Sequence, residues 1–240
     1  MSVFWSELQE YFPFLLKGAE VTLQLSIISM AFGMILGFLT AVGRLSDKKI
    51  IRWPLEAYVE IWRDTPLIVQ LLLIYFSLPE LGIVLSAFWA GVLGLTLNLS
   101  AYLSEVYRAA ILAVDQGQKA AALSLGMSPF QMYRRLIIPQ AFVACLPTQG
   151  GYFIALLKDC SLVSFISVNE LLRHATIMIS NTFDSMNTYL MVAIIYFCMS
   201  FISARCVSWL ERKLTPSRNK KPKIKPTMSE MSEGAPLYDD

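Results

Sequence analysis

Charge is scarce in this chain. Of its 240 residues only 16% are Asp, Glu, Lys or Arg, while 55% are hydrophobic and the mean hydropathy is +0.53. That balance excludes a soluble domain of this length. No GxxxxGK[ST] run occurs, so the usual loop for gripping ATP phosphates is missing. The single histidine, His174, has no second histidine and no nearby cysteine with which to hold a metal. The four cysteines, Cys145, Cys160, Cys198 and Cys206, show no CxxC spacing and fall mostly in apolar stretches, where they read as small hydrophobes. No Ser-His-Asp set or paired carboxylates stand out, so neither an enzyme nor a cofactor site is expected, and nucleic acid is not an expected partner. An inverted repeat of the kind common in secondary transporters is also missing. Glu7 and Glu10 stand where a cleavable signal peptide would carry basic residues.

What the chain has is long apolar runs. Residues 21–43, 81–104, 136–157 and 185–204 are free of charge, and each matches the roughly 20 residues needed to cross a bilayer. A shorter run, 65–79, reads as a span that borrows its first turns from residues 55–62. The expectation is therefore an all-α polytopic membrane protein with five spans. Residues 1–19 form an N-terminal segment, 20–214 the membrane domain and 215–240 a disordered tail rich in Pro, Lys and Ser before turning acidic.

Most Lys and Arg cluster after the first span, after the third span and in the tail, among them Arg44, Lys48, Lys49, Arg52, Arg108, Lys119, Arg134 and Arg135. The positive-inside rule then puts the N-terminus outside and the C-terminus in the cytoplasm. The run Lys220, Lys221, Lys223 and Lys225 reads as a solvated flank of the membrane domain. Gly33, Gly37 and Gly43 recur at helical-turn spacing and form a face for close helix packing.

Residues 115–138 form a polar helix pair between the third and fourth spans. Asp115 is a candidate N-cap with Gln118 in capping-box position, and Gly126 supplies a left-handed ending. Ser128, Pro129 and Gln131 repeat the start signals, and Pro139 is expected to end the second helix. Ala120, Ala121 and Ala122 would give the first helix one smooth face. Such a pair in a cytoplasmic loop is built to dock another protein.

Five motifs, in order, carry a family resemblance: PFLLKGAEVTLQLS, WRDTPLIVQL, LNLSAYLSEVYRAAI, VDQGQKAAALSLGMSPFQMYRRLIIPQA and FIALLKDCSLVSFI. The chain resembles the membrane permease subunit of bacterial ABC importers for polar amino acids, the histidine/glutamine/arginine/cystine group. The resemblance implies that Gly117, Gln118, Ala121, Ala122, Leu125 and Gly126 couple the permease to a separate ATPase. It further implies ABC ATPase subunits, a second permease subunit, an extracytoplasmic solute-binding protein and a polar amino acid as partners, in the inner membrane. Three positions depart from the family pattern. Ala120 stands where the family usually has glutamate, which leans toward a heteromeric permease pair. Cys160 replaces Thr or Ser, and Gly150-Gly151 replaces bulkier polar residues.

Polar residues within spans are the candidate pathway. Asn98, Ser100, Tyr102 and Glu105 fall on the third span, and Gln149, Lys158, Asp159 and Ser161 on or just past the fourth. Lys158 or an amide would meet the substrate carboxylate, and Asp159 or Glu105 its amino group. Equally, Lys158 could pair with Asp159, and Glu105 with Arg108. Arg63 to Pro66 read as a helix start, with Asp64 or Thr65 capping and Pro66 in the first turn. A receptor that reports occupancy, or an ATP-independent carrier, are the competing functions.

Overall fold

The computed structural model describes residues 2–214, with side chains from Glu10 onward; the tail expectation for 215–240 lies outside the described residues. Every regular element among the described residues is helical. Four helices among the described residues are long and apolar enough to cross a membrane, and counting one sharply bent pair as a single broken span gives five.

Helix α1 (Ser2–Arg44) carries the first span and starts well before residue 20, so residues 2–19 belong to the same helix. No cap signal near Gly18 restarts the chain there. After Arg44 come α2 (Lys49–Asp64) and α3 (Leu67–Ser77), then α4 (Ala87–Leu112). Helix α4 lies further along the chain than the 81–104 run, and Glu105 and Arg108 sit inside it, because their charges are neutralised within the protein.

Helices α1 and α4 form the central pair. As their spacing suggests, Gly33 and Gly37 face α4: a Cβ on Gly37 would come within 3.0 Å of both Leu103 Cβ and Ser100 O, and one on Gly33 within 2.8 Å of Leu99. Where lipid removes the hydrophobic drive between helices, such close approach is what holds them together. Leu25, Leu71, Leu95, Leu99 and Leu103 fill the shared core. Ile27, Ile35 and Leu39 on α1, and Phe197 and Ile202 on the last helix, stay exposed, as lipid-facing positions do.

The short fifth run is the second half of a sharply bent helix pair. Helices α2 and α3 meet at an angle of 108°. Pro66 has no N–H and fixes its own φ, and the residue before it is driven extended, as Thr65 is at φ −101°, ψ 141°. The expected cap is absent: neither Asp64 nor Thr65 caps α3. The Thr65 hydroxyl instead donates back to Ile61 O at 2.6 Å.

On the other side, α5 (Gln116–Ser124) is followed by a four-residue turn, α6 (Pro129–Met132). That turn does not stop at Pro139. A π-helical turn, Tyr133–Ile137, joins it to α7 (Ile138–Asp159), so Pro139 sits in the first turn of a continuing column. The wider turn makes room for a ring that an α-helical register would force against a carbonyl. The second polar helix is thus the foot of the fourth span rather than a separate element.

A 3₁₀ stretch, Cys160–Ile166, leads to α8 (Leu171–Thr182) and α9 (Ser185–Leu214). Glu170 is fully buried and caps α8, accepting from Leu172 N at 2.9 Å and Arg173 N at 2.7 Å. Tyr196 of α9 donates to the same carboxylate at 2.9 Å, tying the two helices together. Burial raises its pKa above the usual carboxylate range, against the lowering pull of those hydrogen bonds. His174 packs on Phe14, with ring centroids 4.5 Å apart, in a core role.

Candidate functional site

The break between α2 and α3 leaves backbone carbonyls without helical partners. Two amides fill that role. Gln70 Nε2 donates to Trp62 O at 2.9 Å, Thr65 O at 3.1 Å and Thr65 Oγ1 at 2.6 Å. Asn98 Nδ2, near the middle of α4, donates to Trp62 O at 3.0 Å and to Gln70 Oε1 at 2.9 Å. Tyr102 adds a bond to Arg63 O at 3.3 Å. One turn back, the Tyr58 hydroxyl donates to Leu97 O at 2.8 Å and meets Ser100 Oγ at 2.5 Å.

The bend that these bonds hold opens a cavity of about 370 Å³. Arg63, Asp64, Thr65, Pro66 and Leu67 form one wall, α4 another through Leu95, Asn98, Leu99 and Tyr102. Tyr152, Ala155, Leu156 and Asp159 of α7 close it, with Leu162 beyond. Tyr102 and Tyr152 stand 5.9 Å apart across it, and the Arg63 guanidinium lies 5.5 Å from the Tyr102 ring. A cavity of this size and polarity suits a small polar solute.

Of the pathway residues read from sequence, Asn98, Tyr102 and Asp159 meet at this cavity, Asn98 and Tyr102 partly as scaffold. The other five lie elsewhere, Ser100 being taken by Tyr58. Glu105 sits at the centre of an ion cluster: Arg44 at 2.7 Å, Arg108 at 2.9 Å and Arg63 at 3.7 Å. Its expected pairing with Arg108 is present, and Arg44 and Arg63 join it, tying α1, α2 and α4. Gln149 is buried on another face of α7, in a mainly apolar crevice against Met30, Met34 and Val207. Lys158 is exposed and makes no ion pair with Asp159, and neither Lys158 nor Ser161 lines the cavity. Sequence reading missed Gln70 and Tyr152 and took Arg63 as structural. The one available signal was a glutamine in the apolar run 67–77.

The polar loop forms a second site. Asp115 Oδ1 accepts from Gln118 N at 3.1 Å, but the Gln118 side chain bonds Gln140 at 3.0 Å instead of completing a box. Gly126, at φ 76°, ends α5 with Met127 N donating to Ala122 O and Gly126 N to Leu123 O, a Schellman ending. Ser128 and Gln131 make the full reciprocal capping box. The three alanines do not share a face. Ala122 is buried against Ile111, Val114, Met132, Ile137 and Ala141, while Ala120 and Ala121 face outward. Gly117, Gln118, Leu125 and Gly126 are exposed, and here Leu125 and Phe130 present large apolar side chains, 83% and 71% exposed.

A family profile described as "binding-protein-dependent transport system inner membrane component" matches residues 33–216. The chain belongs to that family. It is a multi-pass permease component of an inner-membrane transport system. It is 39% identical over 204 residues to the probable amino-acid ABC transporter permease protein YckA of Bacillus subtilis (strain 168), covering 85% of this chain and 90% of that one. The L-cystine transport system permease protein TcyB of the same organism is 38% identical, with 86% and 88% covered. The arginine transport system permease protein ArtQ, also from that organism, is 35% identical, with 84% and 93% covered. Among solved structures, an amino acid ABC transporter crystallised with histidines matches with a TM-score of 0.81 and 40% identity, over 86% of this chain and 97% of its own. The inward-facing MetNI methionine transporter, at 18% identity and a TM-score of 0.72, shares the fold.

Proposed function

We propose that this permease forms the translocation pathway of an ATP-driven importer for polar amino acids, and that the cavity at the α2–α3 break is where the solute is held. The observation that carries this reading is a charged cavity near the middle of α4, between the ends of a broken span. An amino acid zwitterion cannot enter hydrocarbon, since burying unpaired charge costs many kcal/mol. Discontinuous helices at mid-membrane depth solve the problem by pointing backbone poles and fixed charges at the solute.

Each end of the zwitterion has a partner there. The uncapped N-terminus of α3, beginning after Pro66, and the Arg63 guanidinium both attract a carboxylate. Asp159, across the cavity on α7, takes the ammonium group. Lys158 lies off the cavity and Glu105 is held by three arginines, so neither serves. The relatives named for cystine and arginine, and the neighbour crystallised with histidines, support a polar amino acid as the solute.

Helix α5 and the Phe130 turn would seat in a groove of a separate ATPase through Gly117, Gln118, Ala121, Leu125 and Gly126. Ala122 passes the motion inward, since its apolar cluster includes Ile111 of α4, Val114 just beyond it and Ala141 of α7. ATP-driven closure of two ATPases would rock these helices and switch access from an outside binding protein to the cytoplasm. A second permease subunit completes the pathway. The outward-facing Ala120 offers no carboxylate to the ATPase, which favours a heteromeric pair. The N-terminus lies outside and the C-terminus in the cytoplasm.

The test is reconstitution of the complex purified from its own membrane. Labelled amino acid uptake into proteoliposomes that requires ATP and the binding protein, and that falls at least about tenfold in Asp159→Asn, is expected. Uptake independent of ATP, or an Asp159→Asn complex that transports normally, would overturn the reading.

A further inference from the structure

Three charged side chains line the cavity, and they do not balance. Arg63 brings one positive charge, and Asp64 and Asp159 bring two negative ones. The α-carboxylate and α-ammonium of an amino acid consume Arg63 and one aspartate. One carboxylate is left facing the solute in a space whose other walls are Leu67, Leu95, Leu99, Leu156 and tyrosine rings. Asp64 and Asp159 are both exposed, so the spare carboxylate is hydrated before a solute binds, and a solute that brings a second cation replaces that water with a charge-assisted hydrogen bond.

We infer that Asp64 is a specificity-determining residue that selects amino acids with a cationic side chain. The inference rests on the cavity being the solute site. Asp64 is free to meet such a cation, because it caps neither neighbouring helix and joins none of the ion pairs among the described residues. Asp159 stands on the opposite wall, on α7, so the two carboxylates grip different ends of an extended solute. Arg63 does not cancel Asp64. Its guanidinium is turned toward the Tyr102 ring and Glu105, at 5.5 and 3.7 Å, away from a pairing with its neighbour. The tyrosine rings add a favourable surface for a planar guanidinium.

The test uses the purified permease–ATPase complex without binding protein, so that only this cavity selects. Binding of arginine is compared with that of citrulline, which has the same shape and no side-chain charge. The expected result is a preference for arginine of about tenfold or more, lost in Asp64→Asn and kept in Asp64→Glu. Asp159→Asn should weaken both ligands alike. Equal binding of arginine and citrulline, or a preference that survives Asp64→Asn, would overturn the role of Asp64 while leaving the cavity as solute site. Failure of both ligands to bind, with Asp159→Asn no different from the unsubstituted complex, would instead remove the site itself.

Discussion

Two prolines interrupt two membrane helices in this protein, with opposite results. At Pro66 the chain turns through 108° and a cavity opens; at Pro139 the helix runs on through a π turn. The difference does not lie in the prolines. It lies in what the neighbours offer to the backbone groups that a break strands. Near Pro66, Gln70 and Asn98 supply donors for Trp62 O and Thr65 O, so the open bend is satisfied within the protein. Near Pro139 the column widens and continues, and the Tyr133 carbonyl is taken by Ile138 N. A proline bends a membrane helix widely only where side chains complete the hydrogen bonds.

The contrast between the two prolines is most exposed at Gln70. Gln70→Leu removes the donor that serves three acceptors and should destabilise the protein by about 3 kcal/mol, whereas Pro139→Ala should change stability by less than about 1 kcal/mol. Thermal unfolding of the two variants in the same detergent checks this; similar losses would mean that the amides do not hold the bend.

Next in size is Glu105→Gln. Three arginines would lose their shared carboxylate, at a cost of about 2 kcal/mol, since the cluster is only partly screened from water. A double-mutant cycle with Arg44→Met, read by the same unfolding assay, should show coupling of the two positions, and strict additivity would contradict the cluster.

A smaller effect belongs to the seamless side. Gly126 holds a left-handed φ with nothing within contact of an added Cβ, so Gly126→Ala should cost about 1 kcal/mol through backbone strain alone. Faster amide exchange confined to residues 116–124 is the expected signature, and unchanged exchange there would contradict it.

The smallest effect is a pH slope at the junction capped by Glu170. Its raised pKa means that stability is fully present below the ordinary carboxylate pKa and is lost as pH rises through the folded value. Glu170→Gln should flatten unfolding temperature against pH over that window; an unchanged slope would assign it to another group.

Much of this was legible in the sequence because it was written locally. Apolar run length gave the spans, Gly33 and Gly37 gave the α1–α4 contact, and Asp115, Gly126 and Ser128 gave the ends of the polar helices. The cavity was legible only in part. Asn98, Tyr102 and Asp159 announced themselves as polar residues in apolar runs, but which of them share a space depends on helix rotation and on a bend. Gln149 shows the limit: it is as polar as Asn98 and sits on another face of its helix, away from this cavity. Arg63 shows the converse, a cavity residue hidden in what reads as a helix-start motif. Pro139 misled because a proline alone does not say whether its neighbours will complete the break.

The cavity's role is tested most directly by an electron cryo-microscopy structure of the reconstituted complex with saturating arginine. One amino acid per permease cavity is expected, its carboxylate at Arg63 and the start of α3, and its ammonium at Asp159. Density for the solute outside the α2–α3 break, with that cavity empty, would contradict the assignment.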